Sequence, residues 1–188
     1  MKFKTVESSF VNISELMLPS HSNFSGKIHG GYILMLMDQI AFACASKFSG
    51  HYCVTASVDT VDFLNPIEIG ELVTMKASVN YVGKSSMVIG IRVESENIQT
   101  GVSKHCNSSY FTMVAKDSTG KNVTVQGLEL SCDDDLRRFF KAVKRLSDKK
   151  SHKNHDETFD FRSRAALGEL TKYNVKLKTT ASAGIGTS

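Results

Sequence analysis

The chain has 188 residues, 41% of them hydrophobic and 22% charged, with a formal net charge of +4. That is the balance of an ordinary globular protein with room for one domain and a core large enough to fold alone. No apolar run is long enough to cross a bilayer and MKFKTVESSF lacks the apolar centre of a signal peptide, so a membrane span is set aside and a cytoplasmic location is expected.

Four cysteines (Cys44, Cys53, Cys106, Cys132) show no CxxC pairing, as expected of reduced, inert thiols. The positive charge is unevenly placed. Residues 132–188 carry 13 Lys or Arg against 8 Asp or Glu, and residues 1–131 carry 10 against 11.

Residues 1–20 alternate around Phe3 and Val6 and continue as VNISELMLPS, predicting a first strand or extended arm that ends at Pro19. The stretch Asn23–Ser46, NFSGKIHGGYILMLMDQIAFACAS, organises the rest. Tyr32–Ala45 holds no Pro or Gly and little β-branching, so helix is predicted there. Apolar residues cover every face, which predicts a helix enclosed by other elements. Gly30 and Gly31 leave the first-turn N–H groups unshielded, and those groups with the helix dipole can hold an anion or a developing oxyanion.

Asp38 interrupts the apolar run, with Gln39 beside it. A carboxylate inside such a helix is costly unless it has a partner or a task. A bland account is a buried acid satisfied by a neighbouring hydroxyl or backbone N–H. Gly31 and Asp38 lie on nearly the same face but about 10 Å apart along the axis. An oxyanion donor and an attacking group must both sit about 3 Å from one carbon. Two copies of the helix, antiparallel across a dimer axis, would supply each other.

After Gly50, His51–Phe63 alternates and is rich in β-branched residues, so a strand is predicted. Asn65-Pro66 and Gly70 mark a turn. Strands are predicted over Leu72–Val82, Met87–Glu96 and Val102–Lys116, separated by Gly83-Lys84-Ser85 and Asn97–Gly101, with Asp117–Lys121 closing the last. Four successive strands on short turns predict an antiparallel meander wrapped around the helix, an α+β fold.

From Cys132, three aspartates followed by Leu136, Phe139, Phe140, Val143 and Leu146 predict an amphipathic helix docked by its Phe139 and Phe140 side. Residues 149–158 read as polar linker, Phe159–Leu170 as another short helix, and TTASAGIGTS as a disordered end. The division expected is 1–130 for the sheet-and-helix domain and 131–188 for a basic extension. Its cations Arg137, Arg138, Lys141, Lys144 and Arg145 read as a solvated face, in preference to a nucleic-acid, membrane or CoA-phosphate contact.

Asn23, Gly26, His29-Gly30-Gly31 and Asp38, followed by VDFLNPIEIGE, NYVGKSS and SYFTMVAKD, resemble the hot-dog-fold acyl-CoA thioesterases over residues 8–125. The resemblance is nearest the YciA and brain cytosolic type. It implies a hot-dog fold, side-by-side dimers commonly assembled as trimers of dimers, and hydrolysis of acyl-CoA to a free acid and CoA.

By position it makes Asp38 the general base or nucleophile, and Asn23 of the opposite subunit the amide that positions water or thioester. Gly31 becomes the backbone donor to the thioester carbonyl, and Gly83, Lys84, Ser85 and Ser86 the turn that contacts CoA. His29 departs from the YciA-like branch, which usually has Phe; HGG is more typical of the phenylacetyl-CoA thioesterase branch, so the acyl preference stays open. A general-acid role for His29 competes with simple local capping.

No metal or redox cofactor is expected, because hydrolysis needs only activated water and a stabilised oxyanion. CoA enters as part of the substrate, and nucleic acid is not an expected partner. The rival is a non-catalytic acyl-CoA or nucleotide-binding module with a partner-binding basic tail. A hot-dog dehydratase using His29 is a weaker alternative.

Overall fold

The computed structural model describes residues 2–158, together with Ser163, Gly168, Lys172 and Val175. Among the described residues the β-strands and α-helices follow in the order β1 (Phe3–Thr5), β2 (Val11–Leu16), α1 (Gly30–Ser49), β3 (Tyr52–Val58), β4 (Glu71–Val82), β5 (Ser86–Asn97), β6 (Ser103–Lys116), β7 (Gly127–Glu129) and α2 (Asp133–Thr158). Compact packing separates residues 1–145 from residues 146–188. No helix among the described residues is long and apolar enough to cross a membrane.

Helix α1 starts at the glycine pair and stops where Gly50 takes the left-handed conformation, with φ of 74°. Only glycine adopts that conformation without strain, which ends the helix there. Residues Ile33, Met37, Ile40, Ala41, Cys44 and Phe48 of α1 are buried against Met75, Val79, Met87, Ile89, Phe111 and Met113 of the sheet. Each fully buried large side chain stabilises the fold by about 1.5–3 kcal/mol.

The main sheet has the order β2-β4-β5-β6-β3. β4, β5 and β6 form the expected antiparallel meander. The first of the four predicted strands, β3, does not join it in sequence order. β3 pairs with β6 at the far edge, with Tyr52 opposite Lys116 and Val58 opposite Phe111. It also stops at Val58, and residues 59–66 form no helix or strand. The N-terminal arm is two strands, β1 pairing in parallel with β7 in a small separate sheet and β2 joining the edge of the large one.

Two expectations for the C-terminal segment are corrected. Residues 149–158 are helical, continuing α2 to Thr158. The Phe139 ring meets that of Tyr81 at a tilt, with centroids 5.8 Å apart, but Phe140 is 60% exposed, because adjacent helical residues point about 100° apart. The segments Phe159–Leu170 and TTASAGIGTS lie outside the described residues, apart from Ser163 and Gly168.

Candidate active site

Helix α1 is not enclosed all round within one chain. Gly31, Met35, Asp38, Gln39 and Phe42 form an exposed stripe along it. Met35 is 45% exposed, Phe42 40%, and Tyr52 on the neighbouring edge strand 63%. The Phe42 and Tyr52 rings meet edge to face with centroids 5.6 Å apart. Asp38 therefore sits on an open face among uncovered apolar side chains, and it has a partner there.

Thr55 Oγ1 donates to Asp38 Oδ1 at 2.6 Å. The hydroxyl also lies 3.4 Å from the sulfur of Met113. Thr55 is placed by a bulge, since the β3–β6 register shifts between Thr55 and Ser57, and a bulge re-aims the side chains beside it. The second carboxylate oxygen has no hydrogen-bond partner among the described residues. Asp38 lines a depression of about 420 Å³ together with Gln39, Phe42, Tyr52, Thr55 and Met113. One oxygen is held and the other is available to accept from water.

Asn23 belongs to the loop that leads into α1. Its backbone N–H donates to the Lys27 carbonyl at 2.7 Å, and Gly26 completes the turn with φ of 76°. The side-chain oxygen accepts from Ser25 N at 2.9 Å, Ser25 Oγ at 2.7 Å and Lys27 N at 3.2 Å. All of its acceptor capacity is spent inside the loop. The amide NH2 has no partner among the described residues and remains a donor in a fixed direction.

His29 is the N-cap of α1, and its Nδ1 accepts from the Gly31 N–H at 3.1 Å. In the neutral ring that bond assigns the proton to Nε2. The expected oxyanion donor is therefore engaged by a neighbouring imidazole in this state of the chain. Gly30 has a packing reason of its own, because a Cβ there would lie 3.2 Å from the Phe63 ring.

The Gly83–Ser86 turn joins β4 to β5. Gly83 N donates to the Ser86 carbonyl at 2.8 Å, and the Lys84 and Ser85 carbonyls accept from Val125 and Ala115. The Lys84 side chain is exposed. Through the register, Met87 lies opposite Met113 and Met113 opposite Thr55. The turn therefore stands two strand spacings, about 10 Å, across the sheet from Thr55. Thr55 and Phe63 were not singled out by sequence reasoning. Each acquires its role from a contact 17 or 33 residues distant, which alternation alone does not reveal.

The described residues hold no cluster of three or more His, Cys, Asp or Glu suited to a metal ion. Cys44, Cys53 and Cys106 are buried free thiols and Cys132 is exposed.

Comparison with known proteins places this arrangement. A family model of the thioesterase superfamily matches residues 25–102. Protein VdlD of Helicobacter pylori is 40% identical over 141 residues, covering 75% of this chain and 80% of that protein. The uncharacterized acyl-CoA thioester hydrolase YkhA of Bacillus subtilis is 33% identical over 151 residues, 80% of this chain and 87% of YkhA. Among solved structures, an apo-hexameric acyl-CoA thioesterase superposes with a TM-score of 0.79 at 33% identity, covering 81% of this chain and 97% of its own. The acyl-CoA hydrolase of Staphylococcus aureus, in complex with butyryl coenzyme A, coenzyme A and coenzyme A disulfide, superposes at 0.77 with 29% identity, covering 83% and 95%. It has also been solved with alanine replacing an aspartate, a threonine and an asparagine. With this sheet order, this central helix and these relatives, the chain belongs to the hot-dog acyl-CoA thioester hydrolases of the thioesterase superfamily.

Proposed function

We propose that the protein hydrolyses acyl-CoA to a free acid and CoA at a site shared by two chains, with Asp38 as general base. The observation that carries this reading is the Asp38–Thr55 pair, with Oγ1 to Oδ1 at 2.6 Å on an uncovered helix face. Thr55 holds one carboxylate oxygen, and the other takes a proton from water. The hydroxide adds to the thioester carbon, the C–S bond breaks, and the proton passes to the leaving CoA thiolate.

Asn23 from the opposite subunit orients the water or the carbonyl through its unspent NH2. The Gly31 N–H stabilises the oxyanion once the His29 ring yields it, and Gly30 keeps that approach free of a side chain. Gly83, Lys84, Ser85 and Ser86 receive the phosphates and pantetheine of CoA.

The S. aureus variants support the trio. Their asparagine, aspartate and threonine are separated by 15 and 17 residues, the same intervals as Asn23, Asp38 and Thr55. The exposed Met35, Phe42 and Tyr52, beside the outer edge of β3, support a dimer that buries this stripe and continues the sheet. The assembly we assign is a trimer of such dimers, in keeping with the hexameric relative.

Residues 1–130 then form the catalytic hot-dog domain, and 131–188 an appendage whose first turns pack against it. Three buried, unpaired thiols suit a reducing compartment, and we place the protein in the cytoplasm. Asp38→Asn tests the assignment. It should retain the circular dichroism of the parent and lose at least about a hundredfold in thiol release from an acyl-CoA. Equal rates for variant and parent would remove Asp38 from the mechanism.

A further inference from the structure

Strand β2 alternates, and Val11, Ile13 and Glu15 share the face turned toward the core. The first two pack against apolar neighbours, while the third brings a carboxylate to a place suited to another aliphatic side chain. Such a group is costly without a partner. Its partner is Tyr32, in the first turn of α1, whose hydroxyl donates to Glu15 Oε1. Glu15 has no other hydrogen-bond or ion-pair partner among the described residues. That bond above all, with burial and the carboxylate charge adding to it, holds the Tyr32 hydroxyl above its ordinary pKa, so it remains a donor at neutral pH.

The Tyr32 ring makes a second contact. His21 stacks on it, with centroids 4.0 Å apart and planes 17° from parallel. His21 Nδ1 accepts from the Leu18 N–H at 3.3 Å, and the His21 carbonyl accepts from the His29 N–H at 2.9 Å. His21 thus stands at the base of the hairpin that bears Asn23, closed by the Ser22–Ile28 bridge. The other leg is fixed separately: Ile28 N–H donates to the Ile67 carbonyl at 2.9 Å, and Lys27 pairs with Glu68. Bonded within itself, the hairpin moves as one piece about that base. Glu15 aims Tyr32, Tyr32 seats His21, and His21 sets the leg that runs into Asn23.

We infer that Tyr32 is a positioning residue for the hydrolysis: held by Glu15, its ring fixes the direction in which the Asn23 amide reaches the site of the opposite subunit. The inference rests on the two-chain reading of the site and adds to it residues assigned no contact with the substrate. Asn23 spends its side-chain oxygen within its own loop, so its amide follows any tilt of the hairpin. A misplacement of about 1 Å in a reacting geometry costs about a hundredfold in rate. Loosening one of the hairpin's two legs should cost less, about tenfold.

The test measures thiol release by variants of the full chain, with circular dichroism as the check on folding. Tyr32→Phe keeps the stacked ring and drops the hydroxyl, Glu15→Leu drops the acceptor, and Glu15→Gln keeps an oxygen that accepts. Tyr32→Phe and Glu15→Leu should each lose about tenfold in kcat with KM within about twofold, and Glu15→Gln should keep most of the rate. The double variant Tyr32→Phe/Glu15→Leu leaves no polar group unpaired and is the one best able to fold; its loss should match that of either single change. Parental kcat in Tyr32→Phe, or losses that multiply in the double variant, would overturn the inference.

Subunit mixing separates positioning from general support of the fold. Co-expressed Asp38→Asn and Asn23→Ala chains form dimers with one intact site, to which the Asp38→Asn chain lends Asn23. Tyr32→Phe placed on that chain should lower the rate about tenfold, and placed on the Asn23→Ala chain should change it less than about twofold. Equal losses in both placements make Tyr32 a support of the fold alone and overturn the inference. An inactive mixture before Tyr32 is touched counts against the shared site instead, and the kcat comparison then decides the role of Tyr32.

Discussion

Replacing Thr55 by Val isolates the hydroxyl that holds Asp38. The two side chains have nearly the same shape, and Val suits a strand as well as Thr does. What disappears is the 2.6 Å bond from Oγ1 to Oδ1. A hydrogen bond to a charged group contributes about 1.5–3 kcal/mol where water cannot replace it. In the resting chain Asp38 is exposed and water takes the vacant place, so the variant should unfold within about 1 kcal/mol of the parent.

In the reacting complex the substrate excludes water and the carboxylate must be aimed. The same bond is then worth its fuller amount, about 10- to 150-fold in kcat at 1.36 kcal/mol per decade. KM should stay within about twofold, because Thr55 is assigned no contact with CoA. Thr55→Ser, which restores the hydroxyl, should recover most of the rate. The assay is thiol release from a short acyl-CoA, with urea unfolding as the control. A Thr55→Val enzyme with parental kcat and parental stability would refute the claim that Asp38 needs this anchor.

Two further outcomes rest on other parts of the fold. Glu71 is 7% exposed, and burial alone would push its carboxyl up. Hydrogen bonds from Lys104, the Glu68 N–H and Ser95 outweigh that and hold it below the ordinary range. A depressed folded-state value adds stability above the unfolded value of about 4.3 and loses it as the pH falls. Glu71→Gln should therefore cost about 1–3 kcal/mol at pH 7, with the gap narrowing under acid in urea titrations; a gap constant down to about pH 3.5 would contradict this. Burial also pushes the Cys44 thiol up to about 12, against the lowering effects of its bond to Ser9 and of nearby Lys47. Of the four thiols only the exposed Cys132 should react promptly with iodoacetamide in the native protein, read by mass spectrometry, and prompt labelling of Cys44 would show the core to be open.

Local chemistry made much of this fold readable. The turns around Gly70, Gly101 and Gly120 coincide with positive φ at those residues, so composition alone marked these turns. Pairing between distant strands is another matter. Alternation in Tyr52–Val58 says that the segment is a strand, and nothing in it says that β6 is its neighbour. The α2 helix runs through residues 149–158 because no Pro or Gly interrupts them, while their charge suggested linker.

The site divides in the same way. Asp38 and Asn23 stood out as polar residues in unusual company, and both have geometry suited to the roles proposed. Thr55, one hydroxyl in a strand of small and β-branched residues, became visible only when the fold carried it across to the helix. His29 was ambiguous in the sequence because a cap and an acid use the same ring, and its bond to Gly31 N shows the capping use.

The central claim, that each site takes its carboxylate from one chain and its amide from another, is tested most directly by subunit mixing. Asp38→Asn and Asn23→Ala should each be inactive alone. Co-expressed in equal amounts, half of the dimers pair one variant with the other, and each such dimer holds one site free of both substitutions. About a quarter of parental thiol release should return. If the mixture stays as inactive as its components, the carboxylate and the amide belong to the same chain and the shared site is wrong.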